Sequence, residues 1–279
     1  MRKIVFLAAM AALCVACSSD NEEQRVSEPT EVTLTFSPYQ MDAMTRTATS
    51  IASLVTHLDV WITESGNTIA VHQTSSDANF GTITATLDRT KTYTLYAVGH
   101  RAAGPATLTD GIIAFPDEKV THSMIYKTTF SPATSTSLSC EMTRIVGHFR
   151  FTTTDQVPND AYTITIAFGS AFTRWNIADN TGANSTDRTA RFDNFSRNND
   201  GTMTFNLYVI PTNLTDTDQM DITVTALKQN GDEIESKTFA DVPIKAGYRT
   251  TYQGTYFTSE AVTGSFVIED WNTFDTVNF

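Results

Sequence analysis

The sequence predicts an all-β protein made of antiparallel β-sandwiches, on the basis of three observations. Apolar and polar residues alternate with a period of two in one segment after another, whereas helical periodicity is almost absent beyond the first 30 residues. Turn-forming residues separate these segments at short intervals, as in sandwich folds. Threonine is abundant on the polar side of the alternation, which is typical of a solvated sheet face.

The alternating segments predict strands in both halves of the chain. In the first half, the residues expected to face inward are Val32, Leu34 and Phe36; Leu58, Val60 and Ile62; Ile83, Ala85 and Leu87; Tyr93, Leu95 and Ala97; and Leu138, Cys140 and Met142. In the second half, they are Ile145, Gly147, Phe149 and Phe151; Tyr162, Ile164, Ile166 and Phe168; Met203, Phe205, Leu207 and Val209; and Met220, Ile222, Val224 and Ala226. The pair Asn230-Gly231 then suits a type I′ hairpin turn. Residues 174–200 are polar and predict a long loop that could carry function.

Residues 1–16 predict a lipoprotein signal peptide. Arg2 and Lys3 precede an apolar run of about 13 residues, which is too short to cross a bilayer, since a spanning helix needs roughly 20. Cleavage before Cys17 would leave that cysteine to carry lipid such as palmitate, and an ordinary secretory signal cut slightly later is the alternative. Residues 17–30 are acidic and polar and predict a flexible tether.

The length of the remaining chain limits its number of domains, and its charge limits its expected partners. The mature protein of about 263 residues is long enough for two domains, and we predict an N-terminal sandwich over 31–143 and a C-terminal sandwich over 144–279. The formal net charge of −12 falls to −14 when Arg2 and Lys3 are removed, so nucleic acid is not an expected partner. Cys140 would be the one cysteine left besides Cys17, so no intramolecular disulfide is expected.

The sequence predicts no catalytic residue, no cofactor and no metal. It contains no HExxH, Walker-type or GxSxG motif. The histidines lack metal-ligand spacing and are His57, His72, His100, His122 and His148. Because His57 and His148 lie opposite the inward residues of their strands, they are expected to face solvent. An enzyme is therefore the least favoured of the three functional classes considered for this sequence.

A family resemblance rests on the order and spacing of several loose motifs. These are "EVTLTF", "MTRTAT", "LVTHLDVWIT", "YTLYAVGH", "CEMTRIVGHFRF" and "VPIKAGYRTTYQGTYF". Together with the lipidated start, the pattern resembles the fimbrillin-type (type V) pilus superfamily of Bacteroides-like bacteria, closest to its anchor-type minor subunit branch. The resemblance covers nearly the whole mature chain. It implies two tandem transthyretin-like β-sandwich domains, export as an outer-membrane lipoprotein, and assembly with other pilus subunits into surface fimbriae that adhere to a host or bacterial receptor.

The same resemblance points to a processing site and an exchanged strand. In pilus-shaft relatives a trypsin-like protease cuts after an arginine near the position of Arg46 and so removes the first strand. Burial of Val32, Leu34 and Phe36 would contribute on the order of 5 to 9 kcal/mol, so a domain without this strand needs a replacement. Arg46 as an ordinary surface arginine is the alternative. An anchor-type subunit would keep its first strand, because cutting after Arg46 detaches the protein from Cys17.

The C-terminal tail, "GSFVIEDWNTFDTVNF", is the predicted donor strand. Phe266, Ile268, Trp271 and Phe274 supply its apolar side chains. The tail as an ordinary last strand of the second sandwich, with Trp271 in the core, is the other interpretation.

A second function from a different class stays open, namely a surface lipoprotein that binds glycans. Its best support is Trp175 within the predicted polar loop, flanked by Arg174, Asn176 and Asp179. An exposed indole beside amides and acids suits a sugar face. An indole folded onto the core would argue against this function.

Overall fold

The computed structural model describes residues 27–39, 50–258 and 264–271. The predicted sites Cys17, Arg46 and Phe274 lie outside these ranges. Within them the all-β class is confirmed, because the only helices are two 3-10 turns at Ile51–Ser53 and Pro116–Glu118. No helix in the described part of the chain is both long and apolar enough to span a bilayer. The transthyretin-like character of the two halves and the boundary at 143/144 stay predictions.

Seventeen strands make up the described structure. In chain order they are β1 (Pro29–Pro38), β2 (His57–Glu64), β3 (Asn67–Thr74), β4 (Thr82–Asp88), β5 (Tyr93–His100), β6 (Thr107–Thr109), β7 (Ile112–Ala114), β8 (Met124–Phe130), β9 (Ser137–Arg144), β10 (Gly147–Thr153), β11 (Ala161–Asn176), β12 (Thr181–Asp193), β13 (Thr204–Val209), β14 (Asp218–Lys228), β15 (Glu233–Ile244), β16 (Tyr248–Gly254) and β17 (Ser265–Asp270).

The first half of the chain forms a seven-stranded sheet in the order β3-β2-β5-β8-β9-β1-β4. Only two residue pairs connect β8 to β9, so the sheet bends there into two layers. Buried side chains from both layers share one core, and the inward residues predicted for β1, β2, β4 and β5 all belong to it. Period-two alternation therefore located these strands correctly.

The second half is built from two further sheets. One has four strands in the order β13-β10-β16-β17, and the other has six, in the order β15-β14-β11-β7-β6 with β12 on the remaining side of β11. Aromatic rings fill the core between them. Phe151 stacks on Tyr252 with 4.8 Å between ring centroids, and Phe149 meets Phe168 edge to face at 5.7 Å. Such contacts add to the stabilisation from buried area.

The two halves are joined by a shared sheet and a shared core. The β6–β7 hairpin precedes residue 143 in sequence, yet β7 pairs with β11, placing Ile113 opposite Trp175. Buried side chains from both halves also form one group, the junction cluster. Its members are Trp61, Val98, Ala106, Ile113, Phe115, Val120, Ile125, Ile145, Val146, Trp175, Ile177, Tyr208, Ile210 and Trp271.

The loop predicted for residues 174–200 is wrong over most of its length. β11 continues to Asn176, turns, and returns as β12, a strand of 13 residues. Among the described strands β12 pairs only with β11, apart from an isolated bridge between Thr181 and Asn213. Most β12 side chains are exposed or half-exposed, so the sequence shows no apolar alternation there. A strand without a buried face leaves no period-two pattern to read.

The type I′ turn predicted at Asn230-Gly231 is also wrong. A type I′ turn needs positive φ at both central residues. Only Gly231 has it, at 92°. The side-chain amide of Asn230 instead donates to Asp232 at 2.8 Å and accepts from its N–H, which favours the observed four-residue connection.

Asp155 fixes the chain that follows β16. Its buried carboxylate accepts from the backbone N–H groups of Tyr256, Phe257 and Thr258 at distances of 2.6–3.0 Å. Burial opposes ionisation, but the three N–H groups and the Thr258 hydroxyl outweigh it and lower the pKa of Asp155. The carboxylate therefore stabilises the folded state as an anion.

Replacing Asp155 with alanine should lower the free energy of unfolding by about 2–4 kcal/mol at pH 7, because three backbone N–H groups, that of Tyr256 buried and the others partly buried, lose their acceptor. Since the folded-state pKa lies below the unfolded value of about 3.9, this stabilisation is complete above that pH and is lost as the pH falls through the folded pKa. Urea titrations of wild type and variant should therefore differ by a constant amount from pH 7 to about 5 and converge in stronger acid. Asp160→Ala is the control, since this exposed carboxylate pairs only with Lys228 at the surface.

Candidate functional site

β1 lies between two strands and faces the core. It runs parallel to β9 from Thr33 to Pro38 and antiparallel to β4 from Pro29 to Thr35. Val32 and Leu34 are fully buried and Phe36 nearly so, each in the core of the first half. All three predicted strand-exchange residues therefore lie where removal of β1 would open an apolar groove.

β4 depends on β1 for its place in the sheet. It is the last strand of the seven-stranded order, and β1 is its only strand partner in the part of the chain that the structure describes. Loss of β1 would leave the inward residues Ile83, Ala85 and Leu87 on a strand without ladder bonds. A replacement strand would have to bond with β9 and β4 at once, which requires a fully extended segment.

β17, the described part of the predicted donor tail, is an edge strand. It pairs with β16, and none of the other described strands pairs with its second edge. Phe266 packs near Phe239 and Tyr252, with ring centroids 5.7 and 5.4 Å away. Val267 and Ile268 remain 54% and 39% exposed. β17 thus combines an open hydrogen-bonding edge with exposed apolar side chains, a combination that protein surfaces usually avoid.

Trp271, directly after β17, inserts into the junction cluster and is 3% exposed. The Arg144 guanidinium carbon lies 4.6 Å from the indole centroid, and its Nη1 donates to the Trp271 carbonyl oxygen at 2.7 Å. The rings of His122, His148 and Tyr208 surround the indole at 4.9–5.5 Å. The last described residue thus holds the tail against both halves of the protein.

His148 is not solvent-facing, contrary to the sequence-based expectation. It is fully buried, and its Nε2 lies 3.0 Å from Asn206 Oδ1. The face of β10 that was expected to be solvated is covered by Trp271 and Tyr208. The prediction was wrong because the junction cluster buries faces that an isolated sandwich would leave exposed.

His122 and Arg144 form the polar part of the junction. Burial, followed by the charge of Arg144, lowers the pKa of His122 to about 3, so the imidazole is neutral at physiological pH. Its Nε2 accepts from Arg144 Nε at 3.0 Å, which leaves Nδ1–H to donate to the Leu54 carbonyl at 3.0 Å. Burial also lowers the pKa of Arg144 to about 10, and the group remains charged at neutral pH.

Trp175 is not an exposed platform for a sugar. It lies within β11, and its side chain is fully buried in the junction cluster. Arg174 pairs with Glu118 at 2.7 Å, while Asn176 caps the following turn through Ala178 and Asp179. None of these groups forms the sugar-facing surface that the polar stretch suggested.

The structure contains a hydrogen-bonded group that the sequence did not reveal, here called the histidine chain: Asp59, His57, His72 and His100. β2 carries His57 and Asp59 on one face, and antiparallel pairing sets His72 opposite Asp59 and His100 opposite His57. Asp59 Oδ1 accepts from His72 Nδ1 at 2.7 Å, and Oδ2 accepts from His100 Nε2 at 2.9 Å. Burial, together with His100 and His72, lowers the pKa of His57. The sequence shows the spacing of His57 and Asp59, but it does not show which strands pair with theirs.

Among the described residues, no three or more His, Cys, Asp or Glu side chains converge in a way that would enclose a metal. A shallow polar groove lies between the start of β1 and the loop that precedes β9, lined by Thr30, Arg89 and residues 132–136. No acid–base pair faces this groove.

Residues 116–276 match a family of unknown function, DUF6562, and the chain belongs to that family. No curated protein matches the sequence. The family therefore groups this chain with relatives whose activity its description leaves open.

Several solved structures resemble this fold. A candidate adhesin from Bacteroides thetaiotaomicron aligns with a TM-score of 0.55 at 13% identity, over 88% of this chain and 98% of that chain. A candidate polysaccharide-binding protein (DUF1812) from the same species gives 0.55 at 11% identity, over 86% and 96%. The fimbrial anchor protein Mfa2 from Porphyromonas gingivalis gives 0.48 at 10% identity, over 87% and 98%, which is too low to support an inference. The first two share the all-β fold of this chain.

Proposed function

We propose that the protein is a lipid-anchored structural subunit of a surface fimbria, at an anchor, tip or accessory position, that assembles by β-strand addition. The observation that carries this proposal is the position of β1, a strand with three buried apolar side chains. It lies between β9 and β4, and β4 has no other partner among the described strands. The fold shared with a candidate adhesin supports a role in adhesion at the cell surface.

The finer parts of the proposal rest on the sequence. Cys17 carries the lipid and attaches the protein to the outer membrane. The chain belongs to the fimbrillin-type superfamily, near its anchor branch, with two transthyretin-like sandwiches that meet at residues 143/144. It is not an enzyme, and its partners are other pilus subunits and a surface receptor.

The two ends of the chain have complementary roles in this proposal. The groove occupied by β1 is the acceptor, and the tail that begins with β17 is the donor. β17 is suited to leave its own sheet, because one of its edges carries no ladder bonds to the described strands. Besides its ladder to β16, it is anchored by Phe266, by Trp271 and by the ion pair between Glu269 and Arg249. An acceptor groove would receive Phe266 and Ile268 on one face of the incoming strand.

Low-dose trypsin provides the test of assembly. Cleavage after Arg46 should release β1 and yield a chain that forms SDS-resistant oligomers and captures a biotinylated peptide of residues 264–279. An Arg46→Gln variant should resist that cut and capture no peptide. Mass spectrometry of the new N-terminus identifies the cleavage position.

A peptide with Phe266→Asp and Ile268→Asp is the matched control, because it keeps length and backbone while losing both apolar side chains. Cleaved protein that neither captures the native peptide nor oligomerises would contradict strand addition at the β1 groove. Resistance to cleavage after Arg46 would instead favour the anchor position, in which β1 and the lipid stay attached.

Glycan binding is the second candidate function. It is supported by the fold shared with a candidate polysaccharide-binding protein, but it no longer has Trp175 as a binding residue. Binding of the purified chain to an array of bacterial and host glycans would favour this role over fimbrial assembly.

A further inference from the structure

We propose that His57 and His72 form a binding site for a divalent cation of the zinc class, at the open edge of the first sheet. This proposal does not depend on the fimbrial role. It starts from β2 and β3, where β3 is the outermost strand and the two imidazoles lie 3.5 Å apart between His57 Nδ1 and His72 Nε2.

The orientation of His72 is set by Asp59. The carboxylate accepts the Nδ1–H proton of His72 at 2.7 Å, so the lone pair of this imidazole is on Nε2, the atom that faces His57. In metal sites, a ligating histidine almost always donates its other ring N–H to a carboxylate or carbonyl, which fixes the ring and strengthens it as a ligand. Asp59 already provides that arrangement for His72.

Asp59 is itself held in place from the other side. Its Oδ2 accepts from His100 Nε2 at 2.9 Å and from the Ala106 N–H at 3.0 Å. The Ala102 N–H donates to His100 Nδ1 at 3.2 Å, which assigns the His100 proton to Nε2. Because His100 and Asp59 are buried, the support behind His72 is rigid and its tautomer is fixed.

The separation of the two nitrogens fits one tetrahedral ion. A cation about 2.0–2.1 Å from both His57 Nδ1 and His72 Nε2, which are 3.5 Å apart, would make an N–metal–N angle of roughly 113–122°. That is near the tetrahedral value that zinc prefers. Binding requires His57 to carry its proton on Nε2 in place of Nδ1.

The site is open to solvent and takes two protein ligands. The His72 side chain is 33% exposed and His57 is half-exposed, so a hydrated ion can reach them. Since no larger group of metal-binding side chains converges in the described residues, water would complete the coordination. Imidazole ligands suit zinc and its neighbours in the first transition row, whereas magnesium and calcium prefer oxygen.

Titration calorimetry of the untagged protein with zinc chloride tests the site, with magnesium chloride as the parallel titration. The wild type should bind one equivalent of zinc, and excess magnesium should not compete. His57→Gln and His72→Gln should each weaken binding by at least about tenfold, and Asp59→Asn, which removes a positioning residue, by about 10–100-fold. Circular dichroism without metal checks that each variant is folded.

Asp77→Asn is the matched control, because this exposed carboxylate bonds only within the turn after β3 and should leave zinc affinity unchanged. The proposal is overturned if the wild type shows no saturable binding of zinc, or if binding persists unchanged in both His57→Gln and His72→Gln. The two glutamine variants decide the question even if Asp59→Asn fails to fold, since both replace half-exposed side chains.

Discussion

Substituting Leu34 with aspartate should reduce the free energy of unfolding by about 4 kcal/mol or more, enough to unfold much of the first half. Leu34 is fully buried at the centre of β1, so the new carboxylate would enter an apolar core with no cationic partner in its cluster. Urea unfolding followed by circular dichroism measures the loss.

Thr35→Asp is the control for this prediction. The residue is adjacent in the same strand, but its side chain is exposed on the opposite face, so the same substitution should change stability by about 0.5 kcal/mol or less. Equal effects of the two substitutions would show that the Leu34 face of β1 is not buried in the core. Removal of β1 would then leave no apolar groove.

Replacing Trp271 with alanine should destabilise the protein by about 3–5 kcal/mol, the range for removing a buried tryptophan. The variant removes the indole that packs against Arg144, His122, His148 and Tyr208, and it leaves a cavity between the two halves. Urea unfolding gives the magnitude, and hydrogen exchange should show faster opening of β17 than in the wild type.

Val267→Ala is the control, because it changes β17 and leaves the Trp271 indole in place. Its side chain is mostly exposed, so stability should stay within about 0.5 kcal/mol of the wild type. If Trp271→Ala left the exchange rates of β17 unchanged, the tail would be held by its ladder to β16 and not by the junction. Trp271 would then not be the residue that holds the proposed donor strand in place.

Sequence reasoning located the strands that have one buried and one solvated face. Val32, Leu34 and Phe36 are an example, because a period of two is the direct consequence of the pleat. Sequence reasoning missed the strands that do not have one buried and one solvated face. β12 has no well-buried face, so it was taken as a loop. Trp175 lies at the end of β11, which pairs there with a hairpin some 60 residues earlier.

The features around the candidate sites also separate into those that the sequence could predict and those that it could not. The buried face of β1 and the strand β17 could be predicted because each lies in one continuous segment. The histidine chain could not, since His57, His72 and His100 meet only through the register of three strands. The junction cluster was missed for a related reason, because Trp61, Trp175 and Trp271 come from distant parts of the chain.

The central position of β1 also affects how the protein responds to force. A pull on the chain ahead of residue 29 is transmitted along the axis of β1, while its hydrogen bonds to β9 and β4 lie across that axis. Both ladders are then loaded in shear, and their bonds must break together. A pull that lifts β17 away from the edge of its sheet breaks its bonds to β16 one after another. Under tension, the N-terminal end should therefore hold at loads that peel the C-terminal end away.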